Sequence, residues 1–544
     1  MLRHCARTVK AFVEPSLPYA PRSRTKGTLV VDLAPTRHRT SRPALVSAAA
    51  LALGVGLLPF SAGPALSDTE AAPARVAAAD WSPTKYVSST AAKPNIVVIM
   101  LDDVGPHDGR ILERLPTIRS TFLEHGTTFT DFHVQTPACS PGRVGFLTGL
   151  HTHHHRVIRN VGSLFRPQMS IATQLRGKGY RPILAGKYLN SMVSITPKVP
   201  PGWVDFHAID KGFYNYTMWS NGTKRRYGTG PANYSTDVIA RKAVASIART
   251  PKHQKVFAWI APYAAHSPNV PANRHRNSPR CEDLPRWKPP GYMEKWVSDK
   301  PAYIRAMPRR KLNGKDLRPT CRSLLAVDNL IRDVKAELQR QGRLRNTLLI
   351  LTADNGMNDG MHRFLYDKKT PYATAVPFLV SWPKARGTKP RKVTERLENI
   401  DLAPTLCALA GCRMGPYPTG QARPDGRSFA PIILGTSKTL WRGSVLHSFR
   451  RQGARVPRWW GVETTRYSTV AGMGCASRRS NGCRWSFVKY ETGERELYDL
   501  SNGPCHRWKR DQPGDPCRLN NLAGQREYRH IQKWLNQRLE ELKR

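Results

Sequence analysis

The run Asn95-Ile-Val-Val-Ile-Met-Leu101 constrains the fold more than any other stretch. Its continuous apolar character and β-branched residues fit a strand buried on both faces, as in a parallel sheet. Three further runs repeat the pattern: Tyr180-Arg-Pro-Ile-Leu-Ala185, Val256-Phe-Ala-Trp-Ile-Ala261 and Thr347-Leu-Leu-Ile-Leu-Thr352. Between the last two, Leu324, Val327, Ile331, Val334 and Leu338 recur at helical spacing and define one buried face, with Gly342 as a stop. Pro377-Phe-Leu-Val-Ser381 reads as another strand and residues 401–410 as another helix. Strands alternating with helices predict an α/β fold: a large, mostly parallel sheet flanked by helices.

Each of the four strands ends in polar chemistry. Asp102-Asp103 follows the first, Gly186-Lys187 the second, Ala265-His266-Ser267-Pro268 the third and Asp354-Asn355-Gly356 the fourth. Ligands of such sheets bind beyond the carboxyl ends of the strands. Any one group fits a turn or a helix cap, whereas four at equivalent positions favour a site. Asp102, Asp103, Asp354 and Asn355 offer hard oxygen ligands suited to Ca²⁺, or less so Mg²⁺; without Cys pairs or several His, zinc is disfavoured. Arg143, Lys187 and Lys368 add positive charge able to neutralise a tetrahedral oxyanion. His153, His155 and His266 are candidates for proton transfer near neutral pH. The cluster His151-Thr-His153-His154-His155 has a second reading, as a surface metal scavenger.

A short run, Pro137-Ala-Cys139-Ser-Pro-Gly-Arg143-Val-Gly-Phe-Leu-Thr-Gly149, supplies a reactive side chain. Pro141 is pre-set for the first turn of a helix, which places Cys139 at a helix start and Arg143 one turn along the same face. A thiol, a cation and free backbone N–H groups in one turn suit an anionic centre such as sulfate or phosphate. The structural alternative is a buried cysteine at a helix cap.

Lys and Arg total 86 against 39 acids in 544 residues, a formal charge of +47. Such a field attracts polyanions, from sulfated polysaccharide to teichoic acid or an anionic membrane surface. No basic and aromatic interleaving of a nucleic-acid module is present, which sets nucleic acid aside. Arg37-His-Arg39-Thr-Ser-Arg42, the apolar stretch 43–60 and the small residues Ala65-Leu-Ser67 read as a secretory signal over 37–67 behind an unstructured leader, 1–36. An uncleaved anchor is the alternative, and no other segment is suited to stable membrane insertion. Apart from Cys5 and Cys139, eight cysteines remain, an even number that fits disulfides in an exported protein. Neighbour pairing (281–321, 407–412, 475–483, 505–517) is the simplest arrangement and leaves Cys139 as the odd thiol. The expected layout is a linker over 68–92, a catalytic domain over 93–436 with long loops between Cys281 and Lys315, and a small α+β C-terminal domain over 437–544. Glu496-Leu-Tyr-Asp-Leu500 and an amphipathic helix from Arg526 to Leu542 belong to that last part.

Cys139-Ser-Pro-Gly-Arg143 followed by Leu147-Thr-Gly149 resembles the maturation motif of type I sulfatases, whose fold is that of alkaline phosphatase. Gly186-Lys-Tyr-Leu-Asn190, Tyr214-Asn-Tyr-Thr217, Leu325-Ala-Val-Asp328, Thr352-Ala-Asp-Asn-Gly356 and Asn399-Ile-Asp-Leu-Ala-Pro-Thr405 are similar to blocks of the N-acetylglucosamine-6-sulfatases and extracellular heparan 6-sulfatases. The resemblance implies that a formylglycine-generating enzyme oxidises Cys139 to formylglycine (3-oxoalanine), whose hydrate attacks sulfur. It implies that Asp102, Asp103, Asp354, Asn355 and residue 139 hold calcium and that Arg143 orients the formylglycine. Lys187 would grip sulfate, while His266 and Lys368 bind it and assist the leaving oxygen. His153 and His155 match a His-Asn-His element near the nucleophile. Departures are Leu189 where many arylsulfatases have histidine, Gly142 at a variable motif position that usually holds serine, Leu150, Asn358 and Ala373. The last three bear on the substrate, a sulfated carbohydrate or other sulfate ester. A phosphodiesterase or phosphonate hydrolase using the same site, and a non-catalytic polyanion-binding relative, are the other readings.

Overall fold

The computed structural model describes residues 93–544 apart from 192–197, 366, 439–441, 451–454, 466–467, 469–483, 502–514 and 516. The leader, the expected signal segment and the linker, with Cys5, Cys475, Cys483 and Cys505, lie outside the described residues.

Sixteen strands are described: β1 Asn95–Leu101, β2 Thr127–Phe129, β3 Phe132–His133, β4 Tyr180–Lys187, β5 Asp205–Ile209, β6 Tyr216–Ser220, β7 Thr223–Tyr227, β8 Lys255–Ala261, β9 Thr347–Ala353, β10 Phe378–Ser381, β11 Arg391–Val393, β12 Leu397–Glu398, β13 Ser444–Phe449, β14 Trp459–Thr464, β15 Trp485–Tyr490 and β16 Arg495–Asp499. Ten form one sheet in the order β11-β2-β10-β9-β1-β8-β4-β5-β6-β7. The four strands expected from sequence are its contiguous centre, β9-β1-β8-β4, and all three pairs there are parallel. Antiparallel pairing is confined to both flanks, where β10 pairs with β9 and β2, and β5-β6-β7 form a meander. The buried central runs read as continuous apolar segments because both faces are covered. The helix Arg318–Arg340 carries the predicted apolar face, with Leu324, Val327, Ile331, Val334 and Leu338 all buried. It packs against the helix Ser235–Ala248, which also lies on β4 and β8.

The second sheet, β13-β14-β15-β16, is antiparallel throughout and forms the expected α+β C-terminal region. Its side chains alternate as a sheet covered on both sides requires. Phe449, Trp459, Val488 and Tyr490 pack on Tyr303, Ile304, Phe364 and Tyr372 of the preceding part of the chain. Leu446, Val462, Phe487 and Leu497 face Ile531, Leu535 and Leu539 of the closing helix Arg529–Leu542. Cys281–Cys321 and Cys407–Cys412 are disulfides, as neighbour pairing predicts. Cys517 is also disulfide-bonded, and the pairings expected for 475–483 and 505–517 fall on residues outside the description. Among the described residues Cys139 is the free cysteine, and no helix is long and apolar enough to cross a membrane.

Candidate active site

Register aligns the strand ends. Leu101 lies opposite Ala353 and Gly186 opposite Ala261, so Asp102, Lys187, His266 and Asp354 leave the sheet from the same edge. The Asp354 N–H donates to the Leu101 carbonyl at 3.0 Å, which carries the pairing one residue past the strand. At Gly186, φ is +116°, and a Cβ would sit 2.0 Å from the Ala261 carbonyl oxygen, so glycine is needed for β4 and β8 to approach before Lys187.

The helix Cys139–Thr148 points its first turn at these ends, beginning at Cys139 as Pro141 predicts and closing on Gly149 in the left-handed region. It is buried along its whole length. The Ser140 N–H donates to Asn160 Oδ1 (2.9 Å), and Ser140 Oγ donates to Asn190 Oδ1 (2.9 Å). Asn399 Nδ2 donates to the Gly142 carbonyl at 2.9 Å. A Cβ at position 142 would lie 2.5 Å from the Asp354 carbonyl oxygen, so the site backbone occupies the space a serine would need. Gly142→Ala is therefore expected to destabilise by about 1–3 kcal/mol through overpacking, and to displace Asp354. Thermal melts and sulfate release read the two effects separately; a variant matching the parent in both would show that the helix can shift freely.

Arg143 is 1 % exposed. Its Nε donates to Asp354 Oδ2 at 2.9 Å, its Nη1 to the Lys187 carbonyl at 2.6 Å, and its Nη2 lies 3.5 Å from Asp102 Oδ2. Lys187 Nζ donates to Asp102 Oδ2 at 2.5 Å. Lys368 Nζ bonds Asp103 Oδ1 and lies 2.9 Å from Cys139 Sγ. His266 Nε2 is 3.4 Å from Asp103 Oδ2, and its Nδ1 lies 2.9 Å from the Tyr263 hydroxyl. Burial works against each of these charges, and the partners decide which way each group moves. Burial, then Asp354, push Asp102 up, against Lys187 and Arg143. At Asp103 burial is overridden by Lys368 and His266, which hold it far below the usual carboxylate range. Asp354 is likewise held down by Arg143 and Lys187 despite burial. Burial pushes the Cys139 thiol up to about 11, so as encoded it is a protonated, weak nucleophile at neutral pH.

One side chain or atom from each of Asp102, Asp103, Cys139 and Asp354 forms a group whose candidate ligand atoms lie within 4.8 Å of one another. Asn355 Nδ2 donates to Asp103 Oδ1 (2.8 Å) and to the Gly356 carbonyl (3.0 Å), which leaves the buried Asn355 Oδ1 without a hydrogen-bond partner. Buried polar oxygens are ordinarily satisfied. Three carboxylates and an amide oxygen with unspent acceptor capacity fit a hard divalent cation such as Ca²⁺.

Nine of the eleven residues expected from sequence meet in this cluster. His153 and His155 sit elsewhere in their contacts, on the short helix Thr152–His155. His153 stacks on His151 (5.5 Å between ring centroids) and lies against His154 and Trp460, while His155 Nδ1 accepts from the Val157 N–H at 3.1 Å. Burial lowers His151 to about 4 and both His153 and His155 to about 3. The unfolded chain therefore takes up protons at these positions below about pH 6.5 while the folded one does not, and stability is lost as pH falls from about 6.5 toward 4. Each histidine adds up to about 1.4 kcal/mol per pH unit in that window. Chemical denaturation between pH 7 and pH 4.5 is expected to show this slope, reduced in His155→Gln; an unchanged slope in the variant would remove His155 from the account.

Sequence reasoning assigned no role to Tyr263, Asn160, Asn399 or the brace behind Lys368. Tyr263 holds His266 and places its ring 5.5 Å from Lys187 Nζ. The Lys369 carbonyl accepts from Trp459 Nε1 at 2.8 Å, the Pro371 carbonyl from Arg518 at 3.3 Å, and the Tyr372 hydroxyl donates to Glu496. Asn399 was visible as part of a family block, whereas the Lys368–Tyr372 brace joins residues far apart in the chain and left no local signal.

The profile of the sulfatase family matches residues 94–412, more than half of the chain, and that of the N-sulphoglucosamine sulphohydrolase C-terminal region matches 360–474. The chain is 30% identical over 387 residues to the N-acetylglucosamine-6-sulfatase of Capra hircus, covering 67% of this chain and 68% of that protein. It is 32% identical over 493 residues to an arylsulfatase of Volvox carteri, covering 79% and 72%. A structure solved in complex with its substrate D-glucosamine-2-N,6-O-disulfate superposes with a TM-score of 0.62 at 20% identity, covering 83% of this chain and 97% of the other. This chain belongs to the sulfatase family and is a sulfuric ester hydrolase built on the alkaline-phosphatase-like sulfatase fold.

Proposed function

We propose that the protein is an exported sulfatase that removes sulfate from a sulfated sugar, such as a 6-sulfated glucosamine of a polyanionic glycan. The observation that carries this reading is the convergence of Cys139, the oxygen set Asp102, Asp103, Asp354 and Asn355, and the cations Arg143, Lys187 and Lys368 in one buried cluster. Once a maturation enzyme has converted Cys139 to formylglycine, the hydrate of that residue supplies the hydroxyl nucleophile for sulfur. Asp102, Asp103, Asp354 and Asn355 would hold a calcium ion, which when bound would supply positive charge to the sulfate group. Arg143, fixed by Asp354 and the Lys187 carbonyl, orients residue 139. Lys187 and Lys368 present ammonium groups to the negative charge that develops on the sulfuryl oxygens. His266, with Nδ1 on the Tyr263 hydroxyl and Nε2 3.4 Å from Asp103 Oδ2, would give a proton to the departing alkoxide.

Export is supported by the signal-like segment 37–67 and by the Cys281–Cys321 and Cys407–Cys412 disulfides, which suit an oxidising compartment. Names of relatives support the sugar: the Capra hircus protein is an N-acetylglucosamine-6-sulfatase. The test is mass spectrometry of the Cys139 peptide, with sulfate release from N-acetylglucosamine 6-sulfate and from an aryl phosphodiester. Formylglycine at 139, with kcat/KM for the sulfate well above that for the phosphodiester, is expected. A fully matured protein that releases no sulfate would overturn the reading. Chelation with EDTA should abolish turnover and Ca²⁺ restore it.

A further inference from the structure

A second cleft, of about 460 Å³, is lined by Arg110, Arg286, Trp287, Lys288 and Asn313. That volume is in the range of small-molecule sites. The Arg110 guanidinium lies 5.4 Å from the centroid of the Trp287 ring, and His107 meets the same indole edge-on at 6.3 Å. The floor is rigidly held: Trp287 and Lys315 exchange backbone hydrogen bonds at 2.9 and 2.8 Å. His107 Nε2 lies 2.8 Å from Asp359 Oδ2, and Lys315 pairs with the same carboxylate.

The cleft is rich in cations, Arg110, Arg286 and Lys288, of which Arg286 donates to the Gly314 carbonyl at 3.2 Å and adds to Arg318 in holding the Asp316 carboxyl down. Neighbouring acids are engaged elsewhere: Asp283 with Arg114, Glu282 with Arg322, Asp316 with Arg318 and Asp359 with Lys315 and His107. Among the described side chains no ion pair joins Arg110, Arg286 or Lys288 to a carboxylate. Three cations around an aromatic ring suit a sugar ring that carries anionic groups: the indole adds apolar surface and the cations meet the charges. The Arg110 wall and the His107–Asp359 pair behind Trp287 continue from the catalytic strand ends. His107 follows Asp103 by four residues and Asp359 follows Asp354 by five. Arg110, seven residues past Asp103, lies within about 25 Å of it even on a fully extended chain.

We propose that this cleft binds an anionic sugar unit, bearing sulfate or carboxylate, of the same polymeric chain whose sulfate ester enters the Cys139 site. The inference rests on the sulfated-saccharide reading above. It makes the enzyme select polymers over single sugars, because the distal unit contributes binding that a monosaccharide lacks.

The test measures binding of a heparin-derived hexasaccharide and of N-acetylglucosamine 6-sulfate to the full chain with Cys139→Ala, where turnover cannot interfere. Adding Arg110→Ala, Arg286→Ala and Lys288→Ala together should weaken the hexasaccharide at least tenfold and leave the monosaccharide unchanged. The control removes equal charge from the exposed strand β7 by Lys224→Ala, Arg225→Ala and Arg226→Ala, with an expected loss under threefold. Lys288→Glu alone, at an exposed position, should give a partial loss and guards against misfolding of the triple variant. Equal losses from both triple variants, no loss from the first, or no binding of the hexasaccharide by the parent would each overturn the proposal. Aryl sulfate turnover by the matured enzyme with Cys139 intact, unchanged by the cleft substitutions, keeps this outcome separate from failure of the sulfatase reading.

Discussion

Cys139→Ala yields a folded protein whose sulfate-ester turnover is lower by on the order of 10⁴-fold or more, the scale on which loss of a nucleophile acts. The residue is 2 % exposed and opens the helix Cys139–Thr148, and alanine suits a first helical turn. Its sulfur makes few contacts of structural weight: Lys368 at 2.9 Å and the Asp102 and Asp103 carboxylates at 3.9 and 4.0 Å. Lys368 keeps Asp103 when the sulfur is gone. Fold and function therefore separate at this position. Coexpression with a maturation enzyme, followed by melts and sulfate release, measures both. A variant with more than a few per cent of parental turnover would exclude residue 139 as the nucleophile.

Arg143→Ala has the largest expected cost in stability. Three groups depend on its guanidinium, and two of them, Asp102 and Asp354, are fully buried carboxylates. Removing one member of a buried ion pair leaves an uncompensated charge, at about 3–5 kcal/mol. That corresponds to a fall in Tm of about 3–5 °C for a cooperative unit of about 450 residues. Arg143→Lys separates charge from shape. An ammonium restores part of the compensation but cannot span Asp354, Asp102 and the Lys187 carbonyl together. Much of the stability should return in the lysine variant while kcat stays low. Full activity in Arg143→Lys would mean that the charge alone matters.

The central sheet and most of the site were legible because one physical rule operates twice. Strands buried on both faces must be apolar throughout, so they stand out, and the residues that end them emerge together when the strands are parallel neighbours. Asp102, Lys187, His266 and Asp354 were found that way. The edge strand β7 escaped because it faces water: Thr223–Tyr227 carries Lys224, Arg225 and Arg226, all exposed, and has no apolar run to find. Gly142 read as a harmless departure from a motif, and only the backbone of Asp354 beside it shows why nothing larger fits. His153 and His155 were grouped with the site by residue type and similarity, whereas the His153 ring meets His151, His154 and Trp460 and His155 accepts from the Val157 N–H. Those contacts depend on how the helix Thr152–His155 meets β14, which sequence spacing does not encode.

The brace behind Lys368 bears on how the chain can be divided. Lys369, Pro371 and Tyr372 are tied to Trp459, Arg518 and Glu496, all of them C-terminal to residue 436. The last hundred residues thus act as a clamp on the segment that delivers the Lys368 ammonium to Asp103 and Cys139. A fragment ending near 436 would retain the parallel sheet, the oxygen set and Cys139, yet the loop of Lys368 would lose these three ties and keep only those to its own part of the chain, such as Thr370 to Asn358. Sequence change in this tail therefore reaches the Lys368 segment at a distance, without altering any residue of the cluster around Cys139.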